Sequence, residues 1–186
     1  QGEQYTLEAP LYGMHHGSNM AIAFAIGVTL GLPPSHIVTA LKTCPQIAHR
    51  LEVKPRGKDG LLIDDAYNSN PGGFRAALDM LDFLSDGRRR IVITPGMVEM
   101  GKAHDEEHAK IGEYAATKTD IAIAVQPKRI PGFVAAYQSA KSQEQQIVTV
   151  SSFSEAQAWL ALHGKEDDVI LLENDLPDVY EKVPKV

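Results

Sequence analysis

From residue 50 onward, short apolar runs alternate with longer segments in which apolar residues recur every three to four positions. The short runs are typical of strands buried in a parallel sheet, and the longer pattern is typical of amphipathic helices packed on it. In the first such helix, Phe74, Ala77, Leu78 and Leu81 share one face. The predicted strands are 51–54, 61–65, 91–94, 121–125, 147–150 and 169–172, and the predicted helices begin at Pro71 and cover 105–118, 130–140 and 153–162.

The first two predicted strands flank the turn-rich segment GKDG at 57–60, which predicts a hairpin. The later strands are separated by helices, as the parallel connections of a sheet require. We therefore expect an α/β fold: a Rossmann-like, doubly wound and mostly parallel sheet with one antiparallel edge strand from the hairpin.

The first 45 residues have a different pattern. Residues 5–11 are predicted as a short strand, and a helix capped by Ser18 or Asn19 runs to Leu30 with apolar residues almost all round. Residues 35–41 form a second predicted helix, with Ser35 as its cap. A helix that is apolar on all sides has to be covered by other elements, yet this segment holds no complete sheet. Because the chain also begins with Gln1, we expect it to be a piece of something longer.

Composition narrows the choice of partners. The 24 acidic and 18 basic residues give a net charge of −6, which argues against a nucleic-acid site on a basic face. The run Arg88-Arg89-Arg90 closes a loop before a strand or takes a small anionic ligand. The lone Cys44 cannot form an internal disulfide, as is usual in a reducing compartment. The longest apolar stretch, 20–32, is too short for a membrane span.

The segment 61–74, LLIDDAYNSNPGGF, is the main candidate site. It predicts a strand, then a polar turn, then a helix that starts at Pro71, because proline is favoured at the first helical position. Ligands of open α/β sheets bind at the carboxyl ends of strands, near helix N-termini. The alternative interpretation is that these residues simply make a good turn.

Several standard motifs are missing or incomplete. No Gly-Lys pair is followed by Ser or Thr as in a Walker A loop, and no G-x-G-x-x-G opens a helix. His104 and His108 have a spacing similar to that of zinc proteases, but an acid-rich first helical turn explains the same residues. Asp64 and Asp65 are adjacent on a strand and point to opposite faces, so they are a poor acid/base pair.

Four stretches together resemble a known family. They are HHGSN (15–19), HRLEV (49–53), IDDAYNSNPGGFRAAL (63–78) and GMVEMGKAHDEEHAKIG (96–112). In order and spacing they are similar to the motifs of Mur ligases, most of all the branch that adds D-alanyl-D-alanine to a UDP-N-acetylmuramoyl-tripeptide. The resemblance covers nearly the whole chain, and its strength lies in the order of the four motifs.

The resemblance implies that 1–45 is the tail of a central ATP-binding domain and that 46–186 is the C-terminal Rossmann-like domain. It implies an ATP- and Mg²⁺-dependent amide ligase of peptidoglycan precursor synthesis in the cytoplasm, with a UDP-muramoyl peptide and an amine as substrates and with no nucleic-acid or membrane partner. The phosphate loop and magnesium ligands of the family lie upstream of this chain. We therefore expect the 186 residues alone to be inactive.

The family's site residues carry over by position. Asn19 matches the asparagine at the adenine, Arg50 the arginine at the nucleotide phosphates, and Asp65 the acid that holds the ribose hydroxyls. The turn that faces the amine and the reaction centre comprises Tyr67, Asn68, Ser69 and Asn70. Glu99 and His108 lie in a motif that serves mainly loop structure. The resemblance assigns no catalytic residue and no metal ligand to this chain.

The sequence departs from the family at three places. His16 stands where an asparagine is usual, and Pro95-Gly96 replaces Gly-Asp. LLENDLPDVY at 171–180 replaces a basic K-G-S-R loop, so we expect Glu173, Asn174 and Asp175 to form an acidic rim that favours a cationic amine or repels a carboxylate. Two alternatives follow: a divergent Mur-type ligase with another acceptor, or a non-catalytic module that binds nucleotide or a partner.

Overall fold

The computed structural model describes residues 2–174, apart from the side chains of Met14 and His15. Six helices and six strands are present in this part of the chain. The helices are α1 (Met14–Thr29), α2 (Pro34–Lys42), α3 (Pro71–Ser85), α4 (His104–Lys118), α5 (Pro131–Ala140) and α6 (Phe153–His163). The strands are β1 (Glu52–Arg56), β2 (Gly60–Asp65), β3 (Arg90–Thr94), β4 (Ile121–Val125), β5 (Gln146–Val150) and β6 (Val169–Glu173).

The strands form one sheet in the order β1-β2-β6-β3-β4-β5. Only the β1–β2 hairpin is antiparallel, and the other pairs are parallel. The predicted fold class is therefore confirmed, including its antiparallel edge strand. The last strand, β6, is inserted between β2 and β3, so the end of the described chain lies beside the end of the first parallel strand.

The strands divide their side chains between two cores. On β3, Val92 belongs to the core under α3, α4 and α5, whereas Ile91 and Ile93 belong to the core under α6. Ala156 and Trp159 of α6 close this second core. Such alternation follows from the two-residue period of a strand, and it explains why the strands appear as continuous apolar runs.

Helices α4 and α5 approach each other closely at Gly112. A Cβ atom on this residue would lie 2.4 Å from the carbonyl oxygen of Phe133. Only a residue without a side chain permits this distance. The glycine thus fixes the position of α4, whose His108 bonds to the loop after β3.

The N-terminal segment differs from its prediction. Residues 5–11 are not a strand, because no neighbouring strand within residues 2–174 pairs with them. Helix α1 begins after Gly13 rather than at Ser18 or Asn19, and α2 is capped by Pro33 rather than Ser35. The predicted caps are wrong since each helix begins earlier than its first polar candidate.

Large apolar side chains of α1 and of its C-terminal cap are exposed in the described part of the chain. Ile22, Ile26 and Leu30 are 59, 55 and 75% exposed. Of the described helices, none is long and apolar enough to cross a membrane.

The arginine run lies at the amino ends of the parallel strands. Arg88 donates to backbone carbonyls at the end of α3, and Arg89 forms a bidentate pair with the fully buried Asp168 at 2.8 and 2.7 Å. Arg90 pairs with Asp120 at 3.0 Å. These contacts confirm that the run closes a loop before a strand.

Candidate functional site

Three neighbouring parallel strands end together at one edge of the sheet. Their last residues are Asp65 on β2, Glu173 on β6 and Thr94 on β3. We call this region the carboxyl edge; it comprises these residues, the turn 66–70, the loop 95–97 and the loop 49–51 that precedes β1. Ligands of open α/β sheets bind at such an edge.

Asp65 joins two parts of the carboxyl edge. Its Oδ1 accepts a hydrogen bond from the backbone N–H of Leu51 at 3.1 Å, and its carbonyl oxygen accepts one from the N–H of Asn174 at 3.1 Å. Leu51 has a φ of 51°, which bulky residues rarely adopt, and its side chain is 4% exposed. The bond to Asp65 and the buried side chain together hold the loop in this unusual conformation.

Arg50 stacks on Tyr67. The guanidinium carbon lies 4.4 Å from the centre of the Tyr67 ring, and the Tyr67 N–H donates to the carbonyl oxygen of His49 at 3.2 Å. Tyr67 is 63% exposed, and the Arg50 side chain donates no hydrogen bond to any residue in 2–174. A stacked guanidinium keeps its N–H groups available for an anion in the plane. Two residues from separate motifs thus form one exposed surface.

The turn after β2 is held by two of its own side chains. Asn70 caps α3, because its Oδ1 accepts from the N–H of Gly73 at 2.9 Å, and α3 begins at Pro71 as predicted. Ser69 is 5% exposed and points inward, where its hydroxyl donates to Oε1 of Glu173 at 2.5 Å. Asn68 is exposed. Among the four turn residues, Tyr67 and Asn68 face outward, and the other two shape the turn.

The predicted acidic rim is wrong for Glu173 and Asn174. Their exposures are 0 and 6%, since β6 continues through Glu173 and turns its side chain into the core. Asn174 has a φ of 63°, and its Nδ2 donates to the carbonyl oxygen of Gly96 at 2.6 Å. Asp175 lies outside the described residues. The end of β6 therefore ties the loops after β2 and β3 together.

Burial has the largest effect on the protonation of Glu173. It raises the pKa of this carboxyl well above the ordinary value of 4.5, and the charge of Asp65 raises it further, whereas the Ser69 hydroxyl lowers it. Burial and the neighbouring acid thus both favour the protonated form of this carboxyl.

Asp64 belongs to a separate network on the other side of β2. Its carboxylate lies 3.0 Å from Nδ1 of His49 and 3.0 Å from Nζ of Lys54. Burial opposes ionisation, but the bonds from Lys54 and His49 outweigh it and hold the pKa of Asp64 below its ordinary value. As predicted, the carboxylates of Asp64 and Asp65 lie on different sides of β2, where they make different contacts.

Three side chains of metal-ligating types lie close together around the same carboxylate. Ligand atoms of His49, Glu52 and Asp64 lie within 4.8 Å of one another. The ammonium group of Lys54 is already in place between the two acids, 2.9 Å from Glu52 and 3.0 Å from Asp64. The lysine supplies the positive charge, so we assign no metal to this cluster.

His108 lies on α4 and holds the loop after β3 in place. It is fully buried; its Nε2 accepts from the N–H of Met97 at 2.8 Å, and its Nδ1 donates to the carbonyl oxygen of His104 at 2.7 Å. Burial is the main reason that the pKa of His108 is lowered. Gly96 has a φ of 84°, and a Cβ there would lie 2.5 Å from His108 Nε2. Both ring nitrogens are occupied, so the interpretation of this motif as loop structure fits and the zinc interpretation does not.

Asn19 lies inside α1 and is exposed. Its side chain makes no hydrogen bond within the described residues, whose contacts connect it to neither Arg50 nor Asp65. The structure thus brings Arg50, Asp65 and the turn together, and it leaves Asn19 outside this group.

Sequence reasoning missed the inward role of Glu173 and the bridging role of Lys54. The signal for Glu173 was the alternation along β6: Val169 and Leu171 belong to the core under α3, and Glu173 follows at the same two-residue spacing. No comparable signal marks Lys54, because its acidic partners come from two different strands.

Comparisons with known proteins place the described domain in one family. The family model "Mur ligase, glutamate ligase domain" matches residues 49–173, about two thirds of the chain. This range includes the loop with Arg50, all six strands and the carboxyl edge.

Curated relatives carry related names. The UDP-N-acetylmuramoyl-tripeptide–D-alanyl-D-alanine ligase of Mycobacterium bovis is 33% identical over 108 residues, which are 55% of this chain and 21% of that protein. The UDP-N-acetylmuramate–L-alanine ligase of Paenarthrobacter aurescens is 28% identical over 174 residues, 91% of this chain and 37% of that protein. The chain spans well under half the length of either relative.

A solved structure shares the fold. The crystal structure of the MurF ligase from Thermotoga maritima in complex with ADP superposes with a TM-score of 0.70 at 22% identity. The match covers 90% of this chain and 37% of that one.

Proposed function

Because this chain belongs to the Mur ligase family, we propose that it is the C-terminal part of an ATP-dependent amide ligase of peptidoglycan precursor synthesis, acting in the cytoplasm. Residues 1–45 are then the tail of the central ATP-binding domain, and 46–186 are the C-terminal domain. The observation that carries this proposal is the meeting of Arg50, Asp65 and Tyr67 at the carboxyl edge. They come from two separate sequence motifs, and they offer a cation, an acid and an aromatic surface.

ATP with Mg²⁺ supplies a phosphoryl group that converts a substrate carboxylate to an acyl phosphate, and an amine then displaces phosphate to form the amide. This chain contributes binding and orientation. The Arg50 guanidinium is directed at phosphate oxygens, for which a planar cation is well suited. The Asp65 carboxylate accepts hydrogen bonds from the ribose hydroxyls, and Asn19 contacts the adenine. Holding the reactants together accounts for much of the rate in such a reaction.

The turn after β2 faces the amine substrate in this proposal. Tyr67 and Asn68 are exposed and make the contacts, and Ser69 and Asn70 fix the shape of the turn. Because the phosphate loop is missing from the 186-residue sequence, the chain alone is inactive. Closure of this domain on the upstream domain completes the site, as is common where two substrates have to be shielded from water.

The substrates proposed are a UDP-muramoyl peptide and an amine. D-alanyl-D-alanine is the first candidate, on the name of the mycobacterial relative. A second candidate is a divergent ligase with another acceptor, because a relative named for L-alanine matches 91% of the chain.

The test uses the full-length protein that contains this chain. Phosphate release from ATP is measured with UDP-N-acetylmuramic acid and UDP-N-acetylmuramoyl-tripeptide as donors, each with D-alanyl-D-alanine, L-alanine or no amine. We expect release that depends on both a donor and an amine, and that is lost on Asp65→Ala replacement and absent for residues 1–186 alone. Nucleotide binding without amine-dependent release from any pair would instead identify a non-catalytic binding module and overturn the proposal.

A further inference from the structure

The end of β6 carries a carboxyl group to which the ligase roles give no task. Glu173 has no exposed surface, and the strand register pairs it with Asp65 on β2. Paired residues of neighbouring parallel strands project to the same face, at the spacing of adjacent strands. Two acidic side chains therefore lie side by side on the face that α3 covers.

The surroundings of Glu173 do not stabilise a second negative charge. Oε1 accepts the Ser69 hydroxyl at 2.5 Å, and Oε2 is buried with no partner of normal hydrogen-bond geometry within residues 2–174. Of the titratable groups in that range, Asp65 on β2 is the one that acts on Glu173. The turn contributes only the uncharged Ser69 hydroxyl, and the end of β3 contributes the uncharged Thr94. An ionised pair here would place two like charges together away from water.

We propose that Glu173 is a positioning residue of the carboxyl edge, whose carboxyl, carrying one proton, holds Asp65 and the Ser69 turn as a single unit. Asp65 in turn pins the loop with Arg50 through the N–H of Leu51. One buried proton thereby links the nucleotide side of the edge to the amine side. The identity of these two ligands rests on the proposed function, but the link between Asp65, Glu173 and Ser69 does not.

The direction of the pH effect follows from burial. The pKa of Glu173 in the folded chain lies above its ordinary value of 4.5, so the folded state holds the proton more tightly than the unfolded state does. The stability that this proton supports is complete below pH 4.5, and it is lost as the pH rises toward the folded pKa. In this window the folding equilibrium constant falls by up to about tenfold per pH unit.

The first test is an NMR titration of the 186-residue chain with labelled glutamate side chains and backbone amides. We expect the Glu173 carboxyl to titrate above the ordinary glutamate value of 4.5, with the amides of Ser69 and Leu51 shifting at the same midpoint. A Glu173 midpoint at or below 4.5 would overturn the proposal, and so would amides that do not follow its midpoint. This measurement needs no variant and no ligand, so its failure is distinct from failure of the ligase proposal.

Two variants and one control variant make the test specific. In Glu173→Gln, the side-chain carbonyl accepts from Ser69 and the NH₂ donates toward Asp65, but no proton titrates. We therefore expect the shared transition of the Ser69 and Leu51 amides to disappear. The loss of stability with rising pH becomes smaller by the contribution of the Glu173 carboxyl. Glu113→Gln, an exposed site on α4, leaves both unchanged. In Asp65→Asn, which keeps an acceptor for Leu51, the Glu173 midpoint moves down. An unchanged midpoint in Asp65→Asn, or an unaltered pH profile in Glu173→Gln, contradicts the link.

Discussion

The stack of Arg50 on Tyr67 predicts a specific pattern of losses in ATP affinity. If Arg50 binds the nucleotide phosphates as proposed, Arg50→Met removes at least one charge-assisted hydrogen bond worth about 1.5–3 kcal/mol, so we expect KM for ATP to rise at least about 10- to 150-fold in the full-length protein. With respect to ATP, Tyr67→Leu removes only the support for the guanidinium. Since Tyr67 is 63% exposed and the cation lies 4.4 Å from its ring, the cost is about 0.5–1 kcal/mol, or about two- to fivefold in KM.

A double-mutant cycle separates support from direct contact. If Tyr67 acts on ATP through Arg50, the double variant binds ATP as weakly as Arg50→Met alone, because the two effects are not additive. Tyr114→Leu is a matched control: Arg75 stacks on this ring at 4.7 Å, between α3 and α4. We expect it to leave KM for ATP unchanged. The assay is phosphate release at varied ATP with both substrates saturating. A change below about twofold in Arg50→Met, or a Tyr67 effect that persists in full beside Arg50→Met, refutes the assignment.

Three further predictions concern the stability of the domain and are measured by denaturant unfolding of the 186-residue chain. Arg89→Met leaves the fully buried Asp168 carboxylate without its bidentate partner, so we expect a loss of about 3–5 kcal/mol. Asn70→Ala removes the side-chain cap of α3, which costs about 1 kcal/mol, and Asn70→Asp retains most of it. Burial lowers the pKa of His108, so the unfolded state binds a proton at higher pH than the folded state does. The stability that the neutral His108 supports is complete above about pH 6.5 and falls as the pH drops toward the folded pKa. We expect this fall to be less steep in His108→Gln.

Each of these stability predictions has a contrary outcome. Lys58→Met, at an exposed residue of the hairpin turn, is the control for Arg89→Met. Equal losses of unfolding free energy in the two variants would contradict a stabilising role of the buried Arg89–Asp168 pair. An Asn70→Ala variant as stable as wild type would show that Pro71 alone sets the start of α3. Identical pH slopes for wild type and His108→Gln between pH 5 and 7 would contradict a neutral, buried histidine.

Local patterns were sufficient for most elements of the fold. The 3.6-residue spacing of Phe74, Ala77, Leu78 and Leu81 predicted α3, and all four are fully buried. The GKDG segment predicted the hairpin, and the proline at position 71 predicted the start of α3. Such features depend on residues that are neighbours in sequence. The strand predicted at residues 5–11 is wrong because strand formation needs a partner strand, which the described residues do not supply.

The candidate site was predictable only in part, since its contacts are long-range. Arg50 and Tyr67 were selected from separate motifs by resemblance, and the fold stacks them. Ser69 was expected to face a substrate, yet it turns inward because Glu173 arrives 104 residues later on an inserted strand. The acidic rim was predicted wrongly because the sequence shows only that Glu173 is an acidic residue. The sheet shows that its carboxyl is buried on an inserted strand.

The most direct test of the location of the site is chemical-shift mapping of the labelled 186-residue chain with MgADP raised to millimolar concentration. We predict weak binding, with amide shifts concentrated at residues 49–51 and 65–70 and absent in Arg50→Met. Shifts centred instead on Arg88-Arg89-Arg90 at the opposite edge of the sheet, or no shifts at the carboxyl edge at any concentration, would contradict the account.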